Sequence, residues 1–113
     1  MTSKTESAQE LYSPNQGRSI AEAAIEWAES IRWHGKAGRT DKACFLAHAG
    51  TALKYNKVVY GLSKLELAKL AKVTPRVVCT ANKRLQEAGY IELVKKGTYS
   101  GRKASSWRLK ARI

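Results

Sequence analysis

Apolar side chains recur at helical spacing near the start of the chain, where Ile20, Ala24, Trp27 and Ile31 form one stripe. Ser19 and Glu22 stand ahead of it with the spacing of a capping box, so the pattern predicts a helix over residues 19–33. The segment Gly35-Lys36-Ala37-Gly38-Arg39 reads as a flexible basic loop. Thr40 is the expected cap of a second helix over residues 41–55, with Phe45, Leu46, Ala49 and Leu53 facing inward and Asn56 and Lys57 ending it. Val58-Val59-Tyr60 is a short β-branched run suited to a strand, and Gly61 is expected to turn the chain.

Ser63, again three residues before a glutamate (Glu66), opens a third helix whose expected buried side is Leu65, Leu67, Ala68 and Leu70. Ala71, Lys72 and Val73 form a tight turn. Thr74 then caps a fourth helix over 75–88, with Pro75 in its first position, where a missing amide hydrogen costs nothing. Gly89 suits the C-terminal stop. Apolar and polar residues alternate from Tyr90 to Lys95, residues 96–103 are Gly-rich and basic, and residues 104–109 place Trp107 and Leu109 on one face. Together these predict a β-hairpin.

The chain has 113 residues, enough for one compact domain and a tail. Residues 1–18 are rich in Ser, Thr, Gln, Asn and Pro and are expected to be a disordered tail, leaving residues 19–113 as a single domain. No apolar run approaches the length of a bilayer span. The N-terminus shows no basic region followed by an apolar stretch, so the expectation is a cytoplasmic protein without a membrane partner.

Charge changes the picture more than composition does. Lys and Arg number 21 against 9 Asp and Glu, a net +12. The first 31 residues hold two bases (Lys4, Arg18) and five acids, so residues 32–113 carry nineteen bases against four acids, a net +15. A field of that strength recruits a polyanion. Acids are too few and scattered for a paired-carboxylate catalyst, no phosphate-binding glycine loop of the P-loop type is present, and no enzyme is expected. Cys44 and His48 share one helical face at i, i+4, but a zinc site needs about two more ligands. His34 and Cys79 stand in no paired spacing with them, so neither a metal nor another cofactor is expected.

The order of elements, with Leu62-Ser63-Lys64-Leu65-Glu66-Leu67-Ala68, Ala71-Lys72-Val73-Thr74, Val78, Leu85, Ala88-Gly89-Tyr90-Ile91-Glu92, Gly97, Gly101 and Trp107-Arg108-Leu109, resembles winged helix-turn-helix DNA-binding domains. The resemblance spans residues 62–109. It implies a mainly α fold with a small β-hairpin: a three-helix core plus a wing, with the helix at 19–33 as an accessory. Asn82 stands where recognition helices of such domains often carry an apolar residue.

On the helix at 75–88, Val78, Ala81, Leu85 and Ala88 fall on the expected buried side and Arg76, Cys79, Thr80 and Lys83 roughly opposite. A helix fits the major groove, and its first turns reach base edges. Arg76 can take a guanine edge bidentately, Val77 or Thr80 a thymine methyl, and Lys83 a phosphate, with Arg84 directed to the backbone or to an acid. Ser63, Thr74 and Pro75 sit at helix N-termini, which accept phosphate readily. Lys95, Lys96, Thr98, Tyr99, Ser100, Arg102 and Lys103 make a basic finger that can lie along phosphates or enter a minor groove. Double-stranded DNA is therefore the expected partner, through a transcriptional regulator. A replication-initiation module is the alternative, because the stretch from Trp33-His34-Gly35 to Asp41 and on through Ser63 to Ala68 is similar to winged-helix segments of primase and initiator proteins of mobile genetic elements. A protein- or RNA-binding winged helix is a further one. The apolar stripe of the first helix is expected either to cover the core or to pair with a second subunit as a homodimer.

Overall fold

The computed structural model describes residues 16–97 and 104–110. Most of the expected tail (residues 1–15) and Thr98, Tyr99, Ser100, Arg102 and Lys103 of the expected finger lie outside them. Within them the chain runs α1 (Gln16–Ser30), α2 (Gly38–Tyr55), β1 (Val59–Leu62), α3 (Lys64–Ala71), α4 (Pro75–Glu87), β2 (Ile91–Lys95) and β3 (Ser105–Leu109). The fold is mainly helical with a small antiparallel sheet. No helix among the described residues is long and apolar enough to cross a membrane.

Helix α1 begins three residues earlier than its sequence suggests, and Ser19 lies inside it rather than at a cap. The start is fixed from a distance. The Arg18 amide, in the first turn, donates to Asn56 Oδ1 at 2.7 Å, and Asn56 is itself the left-handed C-cap of α2 (φ 52°). Glu22 pairs with Arg18 (3.4 Å) instead of reaching back to Ser19. The buried face of α1 is also offset from the expected stripe. Gly17, Ala21, Ala24 and Ala28 point inward, while Ile20, Ile25 and Trp27 are half-buried at the margin. Small residues at i, i+4, i+7 and i+11 let two helix backbones approach closely, and α1 packs on α2 through them. The face that covers the core is thus the small-residue one, and the expected stripe of Ile20, Trp27 and Ile31 stays half-buried at its edge.

Helix α2 starts at Gly38, so the expected loop is shorter and Thr40 is helical rather than capping. Gly35 (φ +82°) reverses the chain, and the Gly38 amide donates to its carbonyl at 3.1 Å. A Cβ on Gly38 would stand 2.8 Å from the Trp33 carbonyl oxygen, so only glycine fits there. Trp33 folds back over the loop, its indole N–H donating to the Ala28 carbonyl (2.9 Å). With Trp27, Phe45 and Tyr90 it forms a cluster of mostly edge-on rings at 4.9–6.1 Å, an arrangement the ring quadrupoles favour. The two tryptophans are packing residues.

The expected hairpin is part of a three-stranded sheet of order β1-β3-β2. Strand β1 runs through Gly61, which pairs with Ser106 and does not turn. Tyr60 stands opposite Trp107 and Ile91 opposite Leu109, so Tyr60, Leu62, Ile91, Trp107 and Leu109 form the inner face. The Trp107 indole N–H donates to the Leu62 carbonyl (3.3 Å), tying β3 to the last residue of β1. A bulge at Leu93/Lys95 twists β2 as it leaves the core. The Gly97 amide on Ser105 Oγ (2.9 Å) holds the two arms together at the base of the turn.

The tightest joint is at Gly17, where a Cβ would lie 2.3 Å from the Lys57 nitrogen and 2.4 Å from the Asn56 carbonyl carbon. Backbone atoms cannot step aside cheaply. Gly17→Ala is therefore expected to cost about 1–3 kcal/mol, read as a lower urea midpoint; an unchanged midpoint would show that α1 is not seated on the end of α2.

Candidate nucleic-acid interface

Helices α3 and α4 are cut from the chain by two side-chain caps. At α3 the Glu66 amide donates to Ser63 Oγ (3.0 Å) and the Ser63 amide to Glu66 Oε1 (3.1 Å), the reciprocal box that the spacing predicts. Lys72 ends α3 in the left-handed conformation (φ 60°). Two residues later Thr74 accepts from the Val77 amide (3.3 Å), and Pro75 opens α4. Gly89 (φ +81°) turns the chain out of α4 into β2. Because Ser63 is buried and committed to its cap, only Thr74 of the two capping hydroxyl residues is exposed.

Helix α4 is strongly two-sided. Val78, Ala81, Asn82 and Leu85 are buried, while Arg76, Val77, Cys79, Thr80 and Lys83 are exposed; Ala88, expected on the buried side, is exposed because the helix ends at Glu87 and Ala88 is its C-cap. Thr80 Oγ1 back-bonds to the Arg76 carbonyl (3.4 Å). Pro75 is half-buried at the helix start. Among the described residues neither Arg76 nor Lys83 has an acidic partner. Arg84 differs: its Nε and Nη2 grip the Asp41 carboxylate at 2.8–3.1 Å. It is the residue that pairs with an acid, and it locks α4 to the first turn of α2. Lys95 and Lys96 are exposed where β2 leaves the core.

Sequence reasoning missed what holds α4 from behind. His48, fully buried on α2, bridges two elements. Its Nε2–H donates to Asn82 Oδ1 (2.9 Å), and the Tyr60 hydroxyl donates to its Nδ1 (2.8 Å). Trp107 closes the site edge-on, 5.1 Å from the imidazole. Burial holds His48 neutral, lowering its pKa from 6.5 to about 4 against the smaller opposing effect of the Asn82 hydrogen bond. It pushes the Tyr60 phenol up, so that group stays a donor. Asn82, the departure from the apolar pattern, thus has its partner. The available signal was a polar residue on the inward side of an amphipathic helix, which requires one.

Cys44 is buried one turn before His48 on α2, its thiol pushed up to about 11, first by burial and then by the Asp41 charge. No group of three or more potential metal ligands occurs among the described residues. In leaving the core α3 departs from expectation: Leu67 and Ala68 are buried, but Leu65 and Leu70 are 51% and 56% exposed. An eight-residue helix seated by one end and one face has inward room for few side chains. Comparison with protein-family models, with curated proteins and with solved structures returns no match to this chain.

The buried imidazole gives stability a pH dependence. In the unfolded chain His48 takes up a proton near its ordinary 6.5, and in the folded chain only near 4. Between those values the unfolded state binds more protons, so acid favours unfolding. Stability contributed above pH 6.5 is expected to fall by on the order of 3 kcal/mol as the pH drops towards 4. Denaturant titrations across that window should show the loss, and His48→Gln should flatten it; equal slopes in both proteins would contradict a neutral, buried His48.

Proposed function

We propose that this chain is a winged helix-turn-helix module that binds double-stranded DNA, with α4 in the major groove and the β2–β3 arm along the phosphates. One observation carries the reading. The exposed face of α4 presents Arg76, Val77, Thr80 and Lys83 to solvent, while Asn82–His48 and Arg84–Asp41 fix its opposite side. A rigid helix with a cationic free face is what groove recognition needs, because side chains already in place lose little freedom on binding.

The roles follow from position. Arg76 lies in the first turn, where a major-groove helix meets base edges, and its fork matches guanine O6 and N7. The aliphatic parts of Val77 and Thr80 suit a thymine methyl. Lys83, two turns further on, reaches backbone phosphate. Lys95 and Lys96 add sequence-independent attraction beside the helix, continued by Thr98, Tyr99, Arg102 and Lys103. Thr74 and Pro75 place the helix N-terminus, whose dipole favours a phosphate. A sequence-specific regulator of transcription uses such an arrangement directly.

Neutralising about five phosphates gives a log–log salt slope near −4.5 on duplex DNA. Arg76→Ala is expected to relax base preference by about 1–3 kcal/mol at one position, whereas Lys96→Ala weakens every duplex alike and makes the slope shallower by about one. Selection from random duplexes followed by salt titration separates the two effects. Equal losses on every sequence for Arg76→Ala would remove the base-reading role, and a flat salt dependence would remove DNA as the partner.

A further inference from the structure

An open groove of about 760 Å³ runs along the outer side of α2, from Ala43 to Tyr55, and is closed on its other side by α3. Its floor is apolar: Leu46, Ala47 and Gly50 of α2, with Leu70 of α3, which stands more than half exposed. Its rim carries Lys54, Lys69 and Lys72 against one acid, Glu66. Gly50 is the informative residue. It lies in the middle of an 18-residue helix, where glycine weakens the helix, and a Cβ there would meet nothing within 4 Å. Among the described residues nothing fills the space that a side chain at this position would take.

We propose that the occupant is the chain's own N-terminal segment, residues 6–12. Three observations select it. Helix α1 starts against the end of α2, with Gly17 packed on Asn56 and Lys57, next in sequence to Tyr55 at one end of the groove, so the segment is tethered there. Ser13-Pro14-Asn15 then has the composition of a chain reversal, and seven extended residues span about 23 Å, enough for the ~18 Å of helix between Ala43 and Tyr55. The segment Glu6-Ser7-Ala8-Gln9-Glu10-Leu11-Tyr12 also matches the groove in chemistry, with Leu11 and Tyr12 for the floor and Glu6 and Glu10 for the lysine rim. Tethering keeps the segment at millimolar effective concentration. This docking is independent of the DNA-binding reading.

The test is NMR on the full chain at low concentration. Nuclear Overhauser contacts are expected between the Leu11 or Tyr12 side chains and Leu46 or Leu70, with backbone order through residues 6–12 matching that of the helices. Gly50→Leu puts a side chain into the groove and is expected to abolish those contacts and return the segment to random-coil shifts, while the remaining resonances hold. Random-coil shifts for residues 6–12 in the unsubstituted chain would overturn the proposal. So would contacts that vanish on dilution while sedimentation reports a dimer, because a second copy would then fill the groove.

Discussion

The hydrogen bonds through His48 set the geometry on which the rest depends. A buried imidazole has to satisfy both nitrogens, since an unpartnered polar group in the core costs about 1–3 kcal/mol. Here the partners come from β1 and α4, so one side chain on α2 fixes the distance and rotation of two other elements. An apolar core tolerates small rotations of a helix, whereas a hydrogen bond of 2.9 Å to Asn82 does not. The Arg84–Asp41 fork adds a second fixed point less than one turn away on α4. The face of α4 turned to solvent is therefore a consequence of what its buried face must satisfy.

The second constraint is backbone proximity. Gly17, Ala21, Ala24 and Ala28 bring α1 close to α2, and Asn56 serves two helices at once, ending α2 in the left-handed conformation and accepting from the first turn of α1. The large residues expected to form the inner stripe are displaced to its margin. There Trp27 joins Trp33, Phe45 and Tyr90 and seals the seam between α1, α2 and the start of β2. Helix α1 is thus part of the domain's structure and not an appendage to it.

Local chemistry was readable wherever a local rule decides the outcome. The Ser63–Glu66 box, Thr74 with Pro75, the stop at Gly89 and the inward pair Trp107 and Leu109 each follow from residues within a few positions of one another. Where the outcome depends on distant residues, sequence reasoning failed. Ser19 does not cap because Asn56, far along the chain, does so. Thr40 does not cap because Gly35 and Gly38 start the helix earlier. Gly61 continues a strand because β3 returns to pair with it, turning an expected hairpin into a three-stranded sheet. The exposure of Arg76, Cys79, Thr80 and Lys83 was legible from helical periodicity alone, whereas the commitment of Arg84 to Asp41 and of Ser63 to its cap depends on how the elements meet.

Two thiols make the exposed face of α4 directly observable. Cys79 lies on it between Arg76 and Lys83, and Cys44 is fully buried, so iodoacetamide reads one position in the folded protein. The decisive measurement is the alkylation rate of Cys79 with and without saturating duplex DNA in dilute buffer. Insertion of α4 into the major groove predicts at least a tenfold slowing, on the order expected for a side chain shielded in a dry interface (~1.4 kcal/mol per tenfold). An unchanged rate on DNA-bound protein would contradict this use of α4.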